Sequence, residues 1–185
     1  MVYMVVGVVF VGVLCVLNLL LTYGVIRRLR EHAALLSRAG TAGATPGGAG
    51  GPDKVVGTVA GEFKAVTTEG AVITRDRFDG AAGAYLVGFF LESCAPCKEE
   101  LPKFLDRAAG FPGGRDHVYA ITRGVTDEAV AALWAVAHVV TGEAGDEIGT
   151  AFAVTGYPSF FLVGEGGLVH AGAFKVEALP AASPV

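Results

Sequence analysis

The fold of this chain is limited most strongly by one apolar segment, residues 84–91, whose sequence is AYLVGFFL. Both sets of alternating positions in it are apolar, so neither face of a strand built from them suits contact with water. Such a strand belongs in the centre of a sheet that is covered on both faces. Together with the strands and helices that follow it along the chain, the segment predicts an α/β domain with a central mixed sheet and helices on both faces. A chain of 185 residues is long enough to give that domain a substantial core.

The segments around this strand predict the order of the other elements. Thr68-Glu69-Gly70 lies between two short runs that alternate like strands, which indicates a hairpin before the central strand. The predicted elements are a hairpin over 62–67 and 71–74, a short helix over 75–79, a helix over 94–109, a strand over 117–122, a helix over 127–140 with Trp134 on its core side, a helical turn over 148–154, and a final hairpin over 159–163 and 168–174. Strands that alternate with helices are typical of α/β sheets.

Two cysteines, Cys94 and Cys97, stand where the central strand gives way to the following helix. A helix N-terminus has free N–H groups and a partial positive charge, which favour a thiolate over a thiol. A spacing of three brings both sulfurs to one side of the first turn, close enough to bond. The pair therefore indicates disulfide exchange, in which Cys94 attacks and Cys97 resolves the mixed disulfide. A purely structural bridge over so short a loop would stabilise little.

Ligand count and charge disfavour other classes of site. The third cysteine, Cys15, lies far from the pair, and the four histidines are scattered, so a four-ligand zinc site is not expected. A net charge of −4 disfavours general nucleic-acid binding, which needs a basic face. We expect no metal and no cofactor beyond the redox-active disulfide of the cysteine pair.

A long apolar segment precedes the domain. Residues 2–26 contain no charged side chain, and as a helix they would span about 37 Å, enough to cross a hydrocarbon core of about 30 Å. A cleaved signal fits less well, because no basic region precedes the run and because the run exceeds an apolar signal region of about 7–15 residues. The expected organisation is a transmembrane anchor in the bilayer over 1–26, a juxtamembrane helix over 27–38, a flexible Gly/Ala/Pro linker over 39–52, the α/β domain over 53–178 and a frayed tail over 179–185.

The two cysteines at a helix start, followed later by Gly-Tyr-Pro before a terminal hairpin, resemble the thioredoxin fold. More narrowly, CAPCKEELP at residues 94–102 resembles the TlpA-like, membrane-tethered thiol–disulfide oxidoreductases. The anchor, the glycine-rich spacer and the early hairpin are similar to the MauD subgroup of these proteins. The resemblance implies a cis-proline at Pro158 that faces the cysteines, and a backbone at Tyr157 that binds an extended client segment.

The resemblance also implies roles for two residues near the cysteines, and two other positions nearby differ from those of the relatives. Glu100 would be an acid that tunes or relays protons, and the plain alternative is a solvated helix carboxylate. Pro102 would kink the active-site helix. Ser93 stands where relatives usually have a tryptophan, although serine is a good N-cap. Gly88 stands where thioredoxins proper have a buried aspartate, so a relay through that acid is not expected.

The implied partners are disulfides of client proteins and an upstream thiol reductant. Clients of such relatives include cytochrome c maturation factors and a disulfide-rich enzyme subunit. Tethered relatives work outside the cytoplasm, where disulfides persist. Arg27, Arg28 and Arg30 follow the apolar run and favour a cytoplasmic domain by the positive-inside rule, so the two arguments disagree, and we favour the extracytoplasmic side of the cell membrane.

Two other functions stay open at this point. A thiol peroxidase of the peroxiredoxin type would expect a threonine three residues before the attacking cysteine, where this chain has Leu91. A membrane scaffold without catalysis would retain the fold and use neither sulfur.

Overall fold

The computed structural model describes residues 50–79 and 83–182, together with the isolated positions 1 and 12. Apart from those two positions, the predicted anchor, the predicted juxtamembrane helix and linker residues 39–49 lie outside the described residues. Within the part that is described, no helix is both long enough and apolar enough to cross a bilayer. The elements below belong to one compact unit, Pro46–Val185.

The predicted early hairpin and the predicted sheet are both confirmed. Strands β1 (Lys64–Val66) and β2 (Val72–Thr74) pair antiparallel, and Gly70 supplies the positive φ of +83° that their turn requires. The main sheet has the order β5-β4-β3-β6-β7. Its strands are β3 (Tyr85–Leu91), β4 (Val118–Arg123), β5 (His138–Thr141), β6 (Ser159–Val163) and β7 (Val169–Ala173). Strands β3, β4 and β5 are parallel, whereas β6 is antiparallel to β3 and to β7, so the sheet is mixed and its centre is β3.

Helices cover the two faces of this sheet in three layers. Helices α1 (Ala95–Ala109) and α2 (Asp127–Trp134) pack on one face. Helix α3 (Glu143–Ala151), the β1–β2 hairpin and the 3-10 turn Arg75–Phe78 pack on the other. Alternating residues of β3 feed the two cores, because successive side chains of a strand point to opposite faces. Tyr85, Val87 and Phe89 enter the α3 side, and Leu86 and Phe90 enter the α1 side.

The prediction of one helix over 127–140 is wrong, because that segment contains a helix and a strand. Thr126 caps α2 as predicted, and its Oγ1 accepts a hydrogen bond from the N–H of Ala129 at 3.3 Å. The helix ends at Trp134, and residues 138–141 pair parallel with β4 as an edge strand. Two valines and a threonine in this segment favour extended backbone, so the pairing overrides the helical periodicity. Trp134 is 52% exposed, which also corrects its predicted place in the core.

Helix α3 begins five residues earlier than the predicted turn at 148. Gly145 and Gly149 weaken the helical pattern there, because glycine lowers helix propensity. The structure shows why Gly145 is useful. A Cβ at this position would lie 2.9 Å from Cγ2 of Ile121, so its absence lets α3 approach β4 closely.

Both ends of the domain extend beyond the predicted boundaries. Pro52 is buried, and Thr155 donates a hydrogen bond from Oγ1 to the carbonyl of Gly50, so the last linker residues pack on the domain. Leu179 is 4% exposed, and Arg107 of α1 donates hydrogen bonds to its carbonyl and to that of Val176, at 3.1 and 2.9 Å. The predicted frayed tail is therefore wrong at its first residues, because α1 binds their backbone. Residues 183–185 lie outside the description.

Candidate active site

Cys94 is the N-cap residue of α1, which corrects the suggestion that Ser93 would act as the cap. The backbone of Cys94 is extended, and its Sγ accepts a hydrogen bond of 3.1 Å from the N–H of Cys97. That contact satisfies one of the free N–H groups of the first helical turn. Because α1 is 15 residues long, its N-terminus places a partial positive charge at this sulfur.

The two sulfurs, Sγ of Cys94 and Sγ of Cys97, form a disulfide whose Cα atoms are 5.2 Å apart. Their surroundings differ, since Cys94 is partly exposed whereas Cys97 is 4% exposed. Only the first sulfur is therefore open to a large partner, and the second is held behind it. Pro96 is compatible with the first turn because the N–H groups there have no helical acceptor.

Tyr157 and Pro158 lie at the same edge of the sheet as the cysteine pair. Ser159 of β6 pairs with Phe89 of β3, so Pro158 stands beside the end of β3 that leads to Cys94. The Tyr157–Pro158 peptide bond is cis, and Pro158 is buried. Tyr157 is half-buried; burial raises the pKa of its phenol, Asp146 raises it further, and Arg123 opposes them.

Glu100 is buried at 5% exposure, so the alternative of a solvated helix carboxylate is wrong. Its Oε1 accepts a hydrogen bond from Lys103 Nζ at 2.9 Å, and its Oε2 accepts one from the N–H of Val176 at 3.0 Å. Burial acts to raise the pKa of Glu100, but these two hydrogen bonds and the charges of Lys103 and Lys175 together hold it below its usual value. The carboxylate is therefore ionised at neutral pH and bridges α1 to the segment after β7.

Gly88 occupies the centre of β3 beneath α1. A Cβ at this position would lie 2.6 Å from Cε2 of Phe104 and 3.1 Å from Cε2 of Phe90. The phenyl ring of Phe104 thus takes the space that any side chain at position 88 would need. No acid could stand there without displacing that ring.

A cleft of about 230 Å³ opens beside Cys97, between α1 and α2. Its walls include Leu101 of α1, Ala129 and Leu133 of α2, and Val125 of the loop before α2. The sequence pattern alone does not predict this cleft. One wall could have been predicted, because Leu101 follows Cys97 by four residues and therefore lies on the same side of α1. The opposite wall could not, because it depends on how α2 packs against α1.

Within residues 50–79 and 83–182, no group of three or more His, Cys, Asp or Glu side chains is placed to hold a metal ion. The described site is built from the cysteine pair, the cis-proline loop and the cleft.

No family model matches the chain, and no curated protein matches it either. Its structure is similar to the C-terminal domain of a protein named as a thiol-disulfide oxidoreductase from Bacteroides thetaiotaomicron, with a TM-score of 0.51 and 16% identity over 66% of this chain and 88% of the other. It is also similar to the thioredoxin domain of a thiol-disulfide oxidoreductase from Bacteroides vulgatus, with a TM-score of 0.50 and 18% identity over 66% of this chain and 90% of the other. At these identities the likeness establishes the fold, and the chain has a thioredoxin-like α/β fold.

Proposed function

We propose that this chain is a thiol–disulfide oxidoreductase that reduces or isomerises disulfides of client proteins. The observation that carries the proposal is a partly exposed Cys94 at the N-terminus of α1, bonded to a buried Cys97. A helix N-terminus favours the thiolate, which is the form that attacks disulfides. The similar structures named above are also named for this activity, in agreement with the proposal.

The reaction proceeds in two exchange steps that move two electrons and two protons to the client. The thiolate of reduced Cys94 attacks one sulfur of the client disulfide, forming a mixed disulfide and releasing the other client sulfur as a thiolate that takes up a proton. The sulfur of Cys97 loses its proton and attacks Cys94. This step forms the Cys94–Cys97 disulfide and releases the second client thiol. An upstream dithiol reductant then restores the pair, and the client can also be isomerised if its own free thiol attacks first.

Client binding is proposed at the loop that contains Tyr157 and Pro158. This loop lies beside the end of β3 that leads to Cys94, so a client segment that pairs with the backbone of Tyr157 would bring its disulfide to the exposed sulfur. Proton transfer by Glu100 stays a prediction from the resemblance. While the cysteine pair is oxidised, both carboxylate oxygens of Glu100 accept hydrogen bonds.

The test of the activity is reduction of a protein disulfide by the full chain in detergent, with dithiothreitol as reductant. Cys94→Ser should abolish turnover, because the remaining sulfur of the pair, that of Cys97, is buried at 4% exposure, and Cys15→Ser is the matched control that should retain it. Cys97→Ser should instead accumulate a mixed disulfide whose client half can be identified by mass spectrometry. If Cys94→Ser retained turnover above the rate with dithiothreitol alone, the role assigned to Cys94 would be wrong, and if the wild type did not exceed that rate, a scaffold without catalysis would remain.

We also propose that residues 1–26 anchor the domain in the cell membrane and that the domain lies outside the cytoplasm, as in the TlpA-like and MauD-like proteins. The support is the uncharged run 2–26 and the motif at 94–102. The chain should stay with membranes after an alkaline wash and be released by detergent. In intact cells, a membrane-impermeant thiol reagent should label reduced Cys94, with Cys94→Ser as the control. Labelling only after lysis would place the domain inside and favour the charge rule.

A further inference from the structure

We propose that the cleft between α1 and α2 binds an apolar side chain of the client polypeptide, next to the client cysteine. This inference rests on the proposed oxidoreductase function and deepens it by naming a recognition element. The cleft would make the enzyme selective among disulfides for those that have a bulky aliphatic or aromatic neighbour.

The position of the cleft connects it with the chemistry. Cys97 forms part of its wall, together with Leu101 one turn further along α1. Opposite them lie Ala129 and Leu133 of α2, which are four residues apart and face the same way. The cleft lies beyond the carboxyl ends of β3 and β4, the edge at which α/β sheets bind ligands. A group bound here is therefore adjacent to the reacting sulfurs.

The chemistry of the walls selects the kind of side chain. The lining is predominantly apolar, and its rim has one acidic and one basic side chain, Glu92 and Lys98. These opposite charges give neither an anion nor a cation a clear advantage, so burial of apolar surface decides what binds. Transfer of a charged group to such a site without a partner is unfavourable.

The size and the surroundings favour a peptide side chain as the occupant. A volume of about 230 Å³ is below the roughly 300–1,000 Å³ of pockets that enclose whole small molecules. In the mixed disulfide, the client chain is joined covalently to Cys94, whose partner Cys97 lines the cleft. Successive residues of an extended chain lie about 3.3 Å apart, so a residue next to the client cysteine falls within reach of the opening. Ser93, the exposed residue before Cys94, is small and offers no ring to cover this surface.

The experiment compares two disulfide-linked peptide substrates that differ only in the residue beside cysteine, leucine in one and glycine in the other. The readout is the ratio of their kcat/KM values with the full chain in detergent. We expect a ratio of about ten or more, because a single methylene in an apolar pocket changes specificity by about tenfold or more. Ala129→Leu fills the cleft and should lower the ratio to near one.

A matched control and a second variant keep the test decisive. Ala131→Leu makes the same change on the exposed side of α2 and should leave the ratio as in the wild type. Val125→Thr keeps the shape of the wall but makes it polar, so it should lower the ratio severalfold without filling space. The ratio is measured only for variants with the circular dichroism spectrum of the wild type.

The outcomes separate this proposal from the function on which it rests. If both peptides are reduced at the same rate by the wild type, or if Ala129→Leu and Val125→Thr leave the preference unchanged, the cleft does not recognise the client and the oxidoreductase function stands. If neither peptide nor any protein disulfide is reduced, the proposed function itself fails, and the recognition proposal fails with it.

Discussion

The two faces of the central sheet are packed for different purposes. On the α3 side, the rings of the strands contact those of Phe63 before β1, Phe78 in the 3-10 turn and Phe152 after α3, and the void left among them measures about 10 Å³. On the α1 side, the same strands pack against the helix that begins at the cysteines, and a cleft of about 230 Å³ remains. We call the tightly packed core on the α3 side the closed face, and we call the α1 side, which has a cleft beside the cysteine pair, the open face.

This difference indicates that one face of the sheet mainly stabilises the fold, whereas the other face also borders the reactive cysteines. Alternation along β3 sends Phe89 into the closed face and Phe90 into the wall of the cleft, so adjacent residues serve the two purposes. A change in the closed face should therefore alter the free energy of unfolding without altering the exchange rate of the folded protein. Changes near the cysteines should alter both.

The largest expected effect comes from Phe78→Ala in the closed face. Phe78 is 3% exposed, and its ring centroid lies 4.9 Å from that of Tyr85 and 6.0 Å from that of Tyr119, edge to face in both cases. Removing a buried phenyl ring should lower the free energy of unfolding by about 3–5 kcal/mol. Urea titration measures this loss, and Phe78→Leu should lose less. A slower disulfide reduction by the fully folded variant would contradict the separation of the two faces.

Gly88→Ala should have the next largest effect, on the open face. Its new methyl group would meet the ring of Phe104 at 2.6 Å, so α1 or the ring must shift, at a cost of about 1–3 kcal/mol. Phe104→Leu removes the clashing ring atoms, and we expect the double variant to be less destabilised than the sum of the two single changes. A double-mutant cycle measures this coupling. Additive costs would show that the ring is not what excludes a side chain from position 88.

Glu100→Gln sharpens the comparison by separating a structural role from a chemical one. Since the folded state lowers the pKa of this carboxyl, its contribution is complete at neutral pH and is lost as the pH falls below the ordinary glutamate pKa and through the lower pKa of the folded state. We expect the variant to be less stable by about 1.5 kcal/mol at pH 7, as for hydrogen bonds to a charged group. The gap between the two proteins should close on acidification, as measured by urea titrations at several pH values.

The proton-transfer role of Glu100 would give a second result in the same variant. If this carboxylate relays protons, Glu100→Gln should shift the pH profile of disulfide reduction, whereas a bridge to Val176 alone would leave that profile unchanged. The bridge joins residues 76 positions apart, so the chain pattern around Glu100 gives no sign of it.

The elements that could be predicted are those whose signals are local. The buried strand at β3, the start of α1 at the cysteine pair and both hairpins follow from alternation, glycine position and cysteine spacing within a few residues. The cysteine pair and the Tyr157–Pro158 loop are also short motifs. The two motifs are about 60 positions apart, so no local pattern predicts that they lie together. Their proximity at one edge of the sheet was expected from the resemblance.

The features that could not be predicted depend on tertiary packing. Apolar residues recur at helical spacing throughout residues 127–140. The last of these residues nevertheless form β5, because they pair with the backbone of β4. The composition of the linker end and of the C-terminal tail predicts flexible chain at both places. In the structure, however, Thr155 donates a hydrogen bond to the carbonyl of Gly50, and Arg107 donates one to the carbonyl of Leu179. Such contacts override local propensity because each joins segments far apart in the chain.

Trp134→Ala has the smallest expected effect, and it tests the boundary between α2 and β5. The indole is 52% exposed, and the guanidinium of Arg115 lies 5.2 Å from the ring centroid. An exposed cation–π contact is worth about 0.5–1 kcal/mol, so the loss in free energy of unfolding should not exceed about 1 kcal/mol. The adjacent Leu133, which is fully buried, should cost about 2–5 kcal/mol when changed to alanine. If the two residues exchanged these costs in a urea titration, the indole would lie in the core, and the helix would continue past residue 134 as the sequence pattern alone predicts.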